Sequence, residues 1–335
     1  MKKIKLMEVC GTHTMAIAKG GIKKLLPSFI ELISGPGCPV CVTSEPDIDT
    51  AIEIAGKKSV IMSTFGDMMR VPGSRLSLEE AKSGGADVRL VYSPMDALRI
   101  AVENPDKKVV FMGVGFETTS PTVAATVKEA KKQKITNFSV LSGFKLIFPA
   151  LEALSKSDEI KISGFMCPGH VSVITGSEPY EKVARQYKKP CVITGFEPVD
   201  ILKGIERLVR LIKSERSGVE IEYKRAVTRK GNITARKILE SVFEEDSAEW
   251  RGLGKIEKSG LKFRKRYAEF DAGRIFKVKT PEKRVSRGCI CGEILKGVKT
   301  PEDCALFGKS CTPARPVGPC MVSSEGTCAA HYKYG

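Results

Sequence analysis

Cysteine is the residue type that most constrains the chemistry of this protein. The chain has eleven cysteines, and six of them fall within its last 47 residues. The six are Cys289, Cys291, Cys304, Cys311, Cys320 and Cys328. In an intracellular chain of this size, clustered cysteines indicate metal or redox chemistry before structural disulfides. Their irregular spacing matches no zinc finger, whereas iron–sulfur clusters accept four thiolates at widely varying separations. The spacing therefore favours a cluster over zinc, but it does not say which four cysteines bind.

A Cys-x-x-Cys motif, formed by Cys38 and Cys41, is the second thiol feature. This spacing occurs in redox dithiols and in halves of zinc sites, and a zinc ribbon would need a second such pair, which the chain does not have. Ser44, followed by Asp47, predicts a helix start just after the motif, which favours a reactive thiol at Cys41. Redox or iron binding is the favoured interpretation, and zinc is the alternative.

Four further side chains could do chemistry. Cys10 follows a predicted strand at the start of a helix, where the helix dipole favours a thiolate, although a buried structural thiol is the alternative. His13, one of three histidines, is as readily a hydrogen-bonding cap as a proton carrier. His170 taken alone fits a core histidine, and Glu117 taken alone fits a helix cap.

An α/β fold must position these residues. Up to about residue 215, short apolar runs alternate with amphipathic stretches, which is typical of parallel sheets covered by helices on both faces. Strands are predicted at 4–9, 29–34, 59–63, 88–92, 109–113, 139–141, 161–166 and 191–194, and helices at 14–26, 46–55, 94–102, 121–133 and 181–187. Ligands gather at the carboxyl ends of parallel strands, and the unusual side chains follow strand ends, so one shared cleft is predicted. Cys167 and Cys191 are predicted to be inert core thiols.

The chain divides into three predicted domains. The tripeptide Gly-Phe-Glu occurs at 115–117 and again at 195–197, each time after an apolar strand, which supports two similar halves. Beyond residue 215, a charged helical stretch at 235–245 gives way to Gly-, Pro- and Cys-rich loops whose core is too thin without a metal. The predicted architecture is two similar parallel-sheet α/β domains, 1–105 and 106–215, followed by a small cysteine-rich iron–sulfur domain, 216–335.

The basic net charge has a simple explanation. The chain carries 55 Lys and Arg against 39 Asp and Glu, a formal charge of +16. The Lys-Lys pairs are scattered and do not interleave with aromatic residues, so a solvated basic surface is favoured over a nucleic-acid interface. No apolar stretch reaches the roughly 20 residues of a membrane helix, and the amino-terminal segment does not resemble a signal peptide. We expect a cytoplasmic protein that binds neither nucleic acid nor membrane.

Several longer motifs resemble those of the HypD family of [NiFe]-hydrogenase maturation factors. They are Met-Glu-Val-Cys-Gly-Thr-His-Thr at 7–14, Gly-Pro-Gly-Cys-Pro-Val-Cys at 35–41, Thr-Phe-Gly-Asp-Met-Met-Arg-Val-Pro-Gly at 64–73, Val-Tyr-Ser-Pro-Met-Asp-Ala-Leu at 91–98, Gly-Phe-Glu-Thr-Thr at 115–119, Pro-Gly-His-Val-Ser at 168–172, Trp-Arg-Gly-Leu-Gly at 250–254 and Met-Val-Ser-Ser-Glu-Gly-Thr-Cys-Ala-Ala at 321–330. The resemblance covers nearly the whole chain. It implies two similar α/β domains and a [4Fe–4S] domain.

The resemblance also implies roles for the cysteines. Cys10 would bind the iron of an Fe(CN)₂CO precursor, with the small chaperone HypC supplying another thiolate in a stable complex. Cys38 and Cys41 would form a redox pair beside this iron and are counted with Cys10 as candidate metal ligands. The resemblance assigns the cluster to Cys291, Cys304, Cys311 and Cys328. It leaves Cys289 and Cys320 without a role.

The chemistry that the resemblance implies is reductive. Cyanide would arrive as a thiocyanate on the C-terminal cysteine of a transient partner, HypE, and its release requires two electrons. A dithiol supplies two electrons on closing to a disulfide, and a cluster can return them one at a time. We therefore expect a redox-active assembly scaffold without a standard turnover reaction, with His13, His170 and Glu117 as candidate catalytic groups. A thiol–disulfide oxidoreductase with a cluster and a zinc-stabilised nucleic-acid binder are the alternatives.

Overall fold

Two parallel sheets form the centre of the structure. The computed structural model describes residues 3–157, 159–278 and 288–335. Its strands are β1 (Ile4–Glu8), β2 (Ile30–Ser34), β3 (Val60–Thr64), β4 (Asp87–Leu90), β5 (Lys108–Gly113), β6 (Phe138–Ser142), β7 (Gly164–Pro168), β8 (Cys191–Thr194), β9 (Val219–Ile221), β10 (Phe243–Trp250) and β11 (Gly254–Phe263). The first sheet has the order β2-β1-β7-β8-β9 and the second β4-β3-β5-β6, both with parallel pairing throughout. Strands β10 and β11 form an antiparallel hairpin.

Helices connect and cover these strands. They are α1 (Gly11–Lys19), α2 (Ile22–Leu25), α3 (Pro39–Val42), α4 (Glu45–Ala55), α5 (Leu78–Ser83), α6 (Pro94–Glu103), α7 (Ser120–Lys132), α8 (Ile147–Lys156), α9 (Gly169–Thr175), α10 (Tyr180–Tyr187), α11 (Pro198–Lys213), α12 (Ile233–Val242), α13 (Ala272–Phe276), α14 (Cys291–Leu295) and α15 (Thr327–Tyr334). Short 3₁₀ helices lie at Gly66–Arg70, Lys265–Phe270, Pro301–Asp303 and Pro319–Met321. Local signals set several starts: Ser77 and Ser93 each open a capping box that satisfies the first amides of α5 and α6.

The predicted α/β class is confirmed, and the strand pattern explains why. Every residue of β3, β7 and β8 is buried, so these segments are continuous apolar runs, as expected for strands covered on both faces. The eight predicted strands coincide with β1 to β8 to within three residues at either end. The prediction missed three strands: β9, which has only three residues, and β10 and β11, in which charged residues interrupt the apolar pattern.

Two predicted helices differ from the structure at identifiable residues. The helix predicted at 14–26 is divided into α1 and α2, because Gly21 adopts a left-handed conformation with φ of 59°. Glycine is the residue type that tolerates this conformation at least cost. The helical stretch predicted at 235–245 ends at Val242, where the chain continues directly as β10. Periodicity alone did not reveal this change, because both segments are amphipathic and charged.

The sheets divide the chain differently from the predicted domain boundaries. The second sheet pairs β3 with β5, so its strands come from both sides of the predicted boundary at residue 105. The first sheet pairs β1 with β7, which joins residues 4–34 to residues 164–221. The second sheet is therefore inserted within the sequence of the first. Strand β9 belongs to the first sheet, although its residues lie in the segment assigned to the third predicted domain.

The cysteine-rich tail packs into the main core. Its buried cysteines Cys291, Cys311, Cys320 and Cys328 belong to the same apolar cluster as Cys38 and Cys41. The hairpin of β10 and β11 packs against α8 and contributes Phe243 and Phe263 to the core beside the second sheet. Among the described residues, no helix combines the length and the apolar character needed to cross a bilayer.

Candidate functional site

Cys10 lies at the carboxyl end of β1, where it is the N-cap of α1. The backbone amides of His13 and Thr12, in the first turn of α1, lower the pKa of its thiol, although neither makes a capping hydrogen bond to the sulfur. The loop that leads into the Cys-x-x-Cys motif packs directly on it: a Cβ added at Gly37 would lie 2.0 Å from the Cys10 nitrogen. The amide of Gly11 donates to the Gly37 carbonyl at 3.1 Å. Only glycine allows this approach of two backbones, so Cys10 and the motif are held side by side.

The electrostatic setting of Cys10 differs from the sequence-based expectation. Burial, together with the smaller effects of the Glu325 and Glu8 carboxylates, raises the pKa of its thiol to about 12. The two α1 amides act in the opposite direction but are outweighed. The thiol is therefore protonated at neutral pH. A bound cation would reverse the balance, because metal ions bind the thiolate and displace its proton.

Glu8 is a site residue that the sequence prediction missed. It is buried at the end of β1, accepts a hydrogen bond from the Cys10 amide at 3.2 Å and accepts another from the Thr14 hydroxyl at 2.6 Å. Burial raises the pKa of its carboxyl to about 7, against the opposing effect of its hydrogen bonds to Thr14, Ser34 and Cys10. The available signal was an acidic residue inside an otherwise apolar strand, since a carboxyl is buried only where its hydrogen bonds are satisfied.

The two predicted histidines meet across one aromatic ring. His170 is exposed and stacks on Phe196 with 4.0 Å between ring centroids, and His13 is buried with its centroid 4.9 Å from the same ring. His13 Nε2 lies 2.9 Å from the Gly195 carbonyl and therefore carries the proton that it donates. Burial lowers the pKa of His13 to about 4, so its ring is neutral at pH 7. The second Gly-Phe-Glu tripeptide thus contributes the ring that joins both histidines.

Glu325 brings the carboxyl-terminal motif to the same place. Its Oε1 accepts a hydrogen bond from the Thr12 hydroxyl at 2.6 Å. A Cβ at Gly11 would lie 2.7 Å from the Glu325 Cβ, so the two segments are in close contact. Its charge also raises the pKa of His170, against the larger lowering caused by burial. The sequence analysis noted this residue only as part of a motif and assigned it no role.

Cys38 and Cys41 are brought together as predicted. Cys38 is the N-cap of the short helix α3, and Cys41 is fully buried within it. The Cys41 thiol donates to the Pro319 carbonyl at 3.9 Å, and the neighbouring Cys38 raises its pKa. Cys41 also contacts Cys320, and its pKa lies well above the usual range for a thiol because the neighbouring Cys38 and burial outweigh the opposing hydrogen bond from Cys320. The dithiol therefore lies between Cys10 on one side and the tail on the other.

All six tail cysteines line one small cavity. They are Cys289, Cys291, Cys304, Cys311, Cys320 and Cys328. The thiol of Cys291 contacts those of Cys289 and Cys320, and Cys320 also contacts Cys328. The Val317 amide donates to the Cys311 sulfur at 3.3 Å. The cavity therefore gathers the four predicted cluster ligands together with the two cysteines that had been left without a role.

The donor set of this cavity fits a [4Fe–4S] cluster. Thiolates are the protein ligands of such clusters, and hydrogen bonds from backbone amides to the sulfurs, like that from Val317, tune them. Within the described residues, no three His, Cys, Asp or Glu side chains form a group that could hold a single metal ion. A four-iron cluster takes one thiolate per iron, so its ligands need not converge on one point.

The structure places Glu117 apart from these groups. Its Oε1 accepts a hydrogen bond at 2.9 Å from the amide of Ile147, the first residue of α8, so it satisfies a helix-start amide. Its Oε2 is buried and has no hydrogen-bond partner among the described residues. Burial raises the pKa of this carboxyl to about 7. The helix-capping alternative for Glu117 accounts for this geometry.

Replacing Glu117 by Gln should make the stability of the protein less dependent on pH. The folded-state pKa lies above the unfolded value of about 4.5, so the stabilising contribution of Glu117 is present at low pH and is lost as pH rises through 7. Between pH 5 and pH 8, the free energy of unfolding of Glu117→Gln should rise relative to the unsubstituted protein by about 2 kcal/mol. Urea denaturation at both pH values measures this difference. Glu53→Gln, at an exposed position of α4, is the matched control and should show no such change.

The chain is similar to known proteins along its whole length. A family model, HypD, described as the hydrogenase formation hypA family, matches residues 1–335. The hydrogenase maturation factor HypD2 of Bradyrhizobium diazoefficiens is 47% identical over 342 residues, which covers 100% of this chain and 90% of that protein. The hydrogenase maturation factor HypD of Cupriavidus necator has the same identity and coverage. The factor of the same name from Escherichia coli is 46% identical over 334 residues, 99% of this chain and 90% of its own length.

Proposed function

Because the chain belongs to the HypD family and its role is in hydrogenase maturation, we propose that it is the scaffold on which an Fe(CN)₂CO unit is assembled. Three groups of residues would divide the work. Cys10 would hold the iron, the dithiol of Cys38 and Cys41 would supply electrons for cyanide release, and the tail cysteines would hold a [4Fe–4S] cluster. The sequence motifs that suggested these roles come from distant parts of the chain.

The observation that supports the proposal most strongly is that the Cys-x-x-Cys motif lies between Cys10 and the tail cysteines in one buried core, with the Cys41 sulfur 3.9 Å from the carbonyl oxygen of Pro319, the residue before Cys320. Cys10 lies against the loop that begins the Cys-x-x-Cys motif, and Cys38 contacts Cys41. Cys41 contacts Cys320, and Cys320 contacts Cys291 in the tail cavity. Electron transfer between a tail cluster and the dithiol would require the two to lie close together, as the packing of the tail against the motif allows. This arrangement suits an iron-binding site at Cys10, a dithiol that donates two electrons and a cluster that supplies one electron at a time, placed one after another in space.

The role of Cys10 follows from its surroundings. Ferrous iron accepts thiolate ligands, and the amides of Thr12 and His13 at the start of α1 favour the negative charge of a Cys10 thiolate. The buried Glu8 fixes the Cys10 backbone through its amide. The neutral ring of His13 and the exposed ring of His170 are candidates to hydrogen-bond iron ligands or move protons near the site. The partner HypC would supply a further thiolate to the iron.

The cyanide step balances with the residues in place. The Cys38 thiolate would attack the sulfur of a thiocyanate presented by HypE, breaking its sulfur–carbon bond and releasing cyanide anion to the iron. The mixed disulfide would then be attacked by Cys41, which closes the Cys38–Cys41 disulfide and frees the HypE cysteine as a thiolate. The dithiol loses two electrons and two protons. One proton protonates the freed cysteine thiolate, and the other leaves to solvent.

The disulfide must be reduced before a second cyanide can be released. A [4Fe–4S] cluster held by the tail cysteines would supply single electrons at low potential, and two electrons are needed to regenerate the dithiol. Cys291, Cys304, Cys311 and Cys328 are the proposed ligands. Cys320 touches both Cys41 and Cys291, so it holds the two redox groups in contact whichever four cysteines bind iron.

An infrared spectrum of the chain purified with HypC under anaerobic conditions tests this function. The expected result is a set of bands from iron-bound cyanide and carbon monoxide that Cys10→Ala eliminates. Cys167→Ala is the matched control, because Cys167 is equally buried but lies in β7, outside the row of contacts. Bands that persist in Cys10→Ala would contradict the proposed iron site. A cluster and a cycling dithiol with no such bands in the unsubstituted protein would support the oxidoreductase instead.

A further inference from the structure

The turn between β10 and β11 lies between the dithiol and the tail cysteines. Trp250 forms an antiparallel bridge with Thr43, two residues after Cys41, and the Arg251 amide donates to the Val42 carbonyl at 2.9 Å. On its other side, Gly252 has a φ of 83°, and a Cβ there would lie 2.3 Å from the Cα of Gly292, the residue after Cys291. Three consecutive residues therefore contact residues adjacent in sequence to the dithiol and to Cys291.

Arg251 is the charged member of this turn, and its side chain is only 9% exposed. Its Nε donates to the Thr43 carbonyl at 2.9 Å, and its Nη2 donates to the Pro72 carbonyl at 3.0 Å. Its Nη1 lies 3.4 Å from Oε1 of Glu45, which is also buried. The planar guanidinium donates in three directions at once, a geometry that the lysine ammonium does not reproduce.

Arg251 also adjoins the tail. Its neighbour Gly252 packs against Gly292, the residue after Cys291, so the buried guanidinium belongs to a residue that adjoins the tail cysteines. In a buried environment of low dielectric constant, a fixed charge acts more strongly than it would in water. The function proposed above uses the thiols on either side of this arginine but gives the arginine itself no role.

We propose that Arg251 is a positioning residue that raises the reduction potential of the tail cluster and fixes the dithiol helix against it. The inference rests on the proposed function, because it presupposes a cluster at the tail cysteines. Reduction adds one negative charge to the cluster, and a nearby guanidinium stabilises that charge. The Glu45 carboxylate disfavours the same added charge. The reduction potential therefore depends on the balance between the Arg251 guanidinium and the Glu45 carboxylate.

The test is a redox titration of the cluster in the reconstituted full chain, followed by electron paramagnetic resonance. Arg251→Met should lower the equilibrium constant for one-electron reduction by about tenfold, equivalent to about 59 mV. Arg251→Lys keeps the charge and should stay within about threefold of the unsubstituted protein. Glu45→Gln should shift the potential in the opposite direction, towards easier reduction.

Arg70→Met is the matched control. Arg70 also ties the tail to the rest of the protein, through the carbonyls of Pro313 and Val322, at 3.2 Å and 3.3 Å. It should leave the potential unchanged, which separates the charge effect of Arg251 from loss of a tail contact.

The outcomes separate this inference from the function on which it rests. A loaded cluster whose potential is the same in Arg251→Met and the unsubstituted protein would overturn the inference alone, as would equal shifts in Arg251→Met and Arg251→Lys. If Arg251→Met does not retain iron, the reduction potential of the cluster is measured in Glu45→Gln instead. A potential equal to that of the unsubstituted protein then overturns the inference. An unsubstituted chain without iron and sulfide overturns the proposed function and the inference together.

Discussion

A chain with Cys38 replaced by alanine is expected to load no cyanide onto iron. Cys38 is the slightly more accessible member of the dithiol and follows Gly37, whose backbone touches Cys10. Cys41 is fully buried and already in contact with Cys320. Attack on an incoming thiocyanate requires access to its sulfur, so we assign Cys38 as the attacking thiol and Cys41 as the resolving thiol. Without Cys38, no mixed disulfide forms and no cyanide leaves.

The companion variant Cys41→Ala has a different expected result. Cys38 can still attack once, but nothing resolves the mixed disulfide, so the donor should stay covalently attached and at most one cyanide should reach each iron. Infrared spectroscopy measures the cyanide, and mass spectrometry under non-reducing conditions detects the trapped adduct. Cys191→Ala, at a fully buried position of β8 outside the row of contacts to the tail, is the control and should load normally.

The two variants together decide the direction of the step. Two cyanides on the iron of Cys38→Ala would show that the dithiol is not the electron donor. A trapped adduct in Cys38→Ala rather than in Cys41→Ala would exchange the roles of the two thiols and leave the reductive chemistry intact. The burial of Cys41 would then need to be relieved when the donor binds, since a fully buried thiol has no approach path in the structure.

Local sequence patterns predicted much of this architecture. Continuous apolar runs identified β1 to β8, and the rule that functional groups follow the carboxyl ends of parallel strands located Cys10, the Cys-x-x-Cys motif and His170. These features are encoded within ten to fifteen neighbouring residues. The order of the strands in each sheet is not encoded locally, because the pairing of Leu6 with Gly164 joins segments that are far apart in sequence. The predicted boundary at residue 105 therefore separated strands that lie in one sheet.

The sequence predicted the site residues whose type indicates their chemistry. It did not predict those whose role depends on where the fold places them. A thiol or a histidine is conspicuous in any sequence, but Glu8, Arg251 and Glu325 are ordinary charged residues until the fold brings them to cysteines. Glu117 is a further example, because its motif suggested catalysis and gave no sign of its structural contact. In the structure its buried carboxyl accepts a hydrogen bond from the first amide of α8. For Cys320, the spacing left its role open, and only the packing shows its contact with Cys41.

Replacing Cys291 by serine is expected to eliminate the proposed [4Fe–4S] cluster and to destabilise the tail. Cys291 is buried at the start of α14, and its sulfur contacts both Cys289 and Cys320. The tail cysteines belong to the apolar cluster that also contains Cys38 and Cys41, so loss of the cofactor would remove cross-links from the main core. Iron should fall from about four atoms per chain to almost none, and the unfolding temperature should fall by more than about 5 °C.

Comparison with Cys320→Ser shows whether Cys291→Ser loses iron because a cluster ligand is removed or only because a buried thiol is changed. Cys320 is more deeply buried than Cys291 and lies in the same cavity, but it is not one of the four proposed ligands. Its replacement should leave iron and sulfide unchanged, whereas reduction of the Cys38–Cys41 disulfide by the cluster should become slower, because the sulfur between them has been replaced by the smaller, less polarisable oxygen. If Cys320→Ser loses iron and Cys304→Ser retains it, Cys320 is a cluster ligand, and the cluster would then touch the dithiol directly through the ligand sulfur. That outcome would shorten the electron path by one residue and leave the order of the three sulfur sites unchanged.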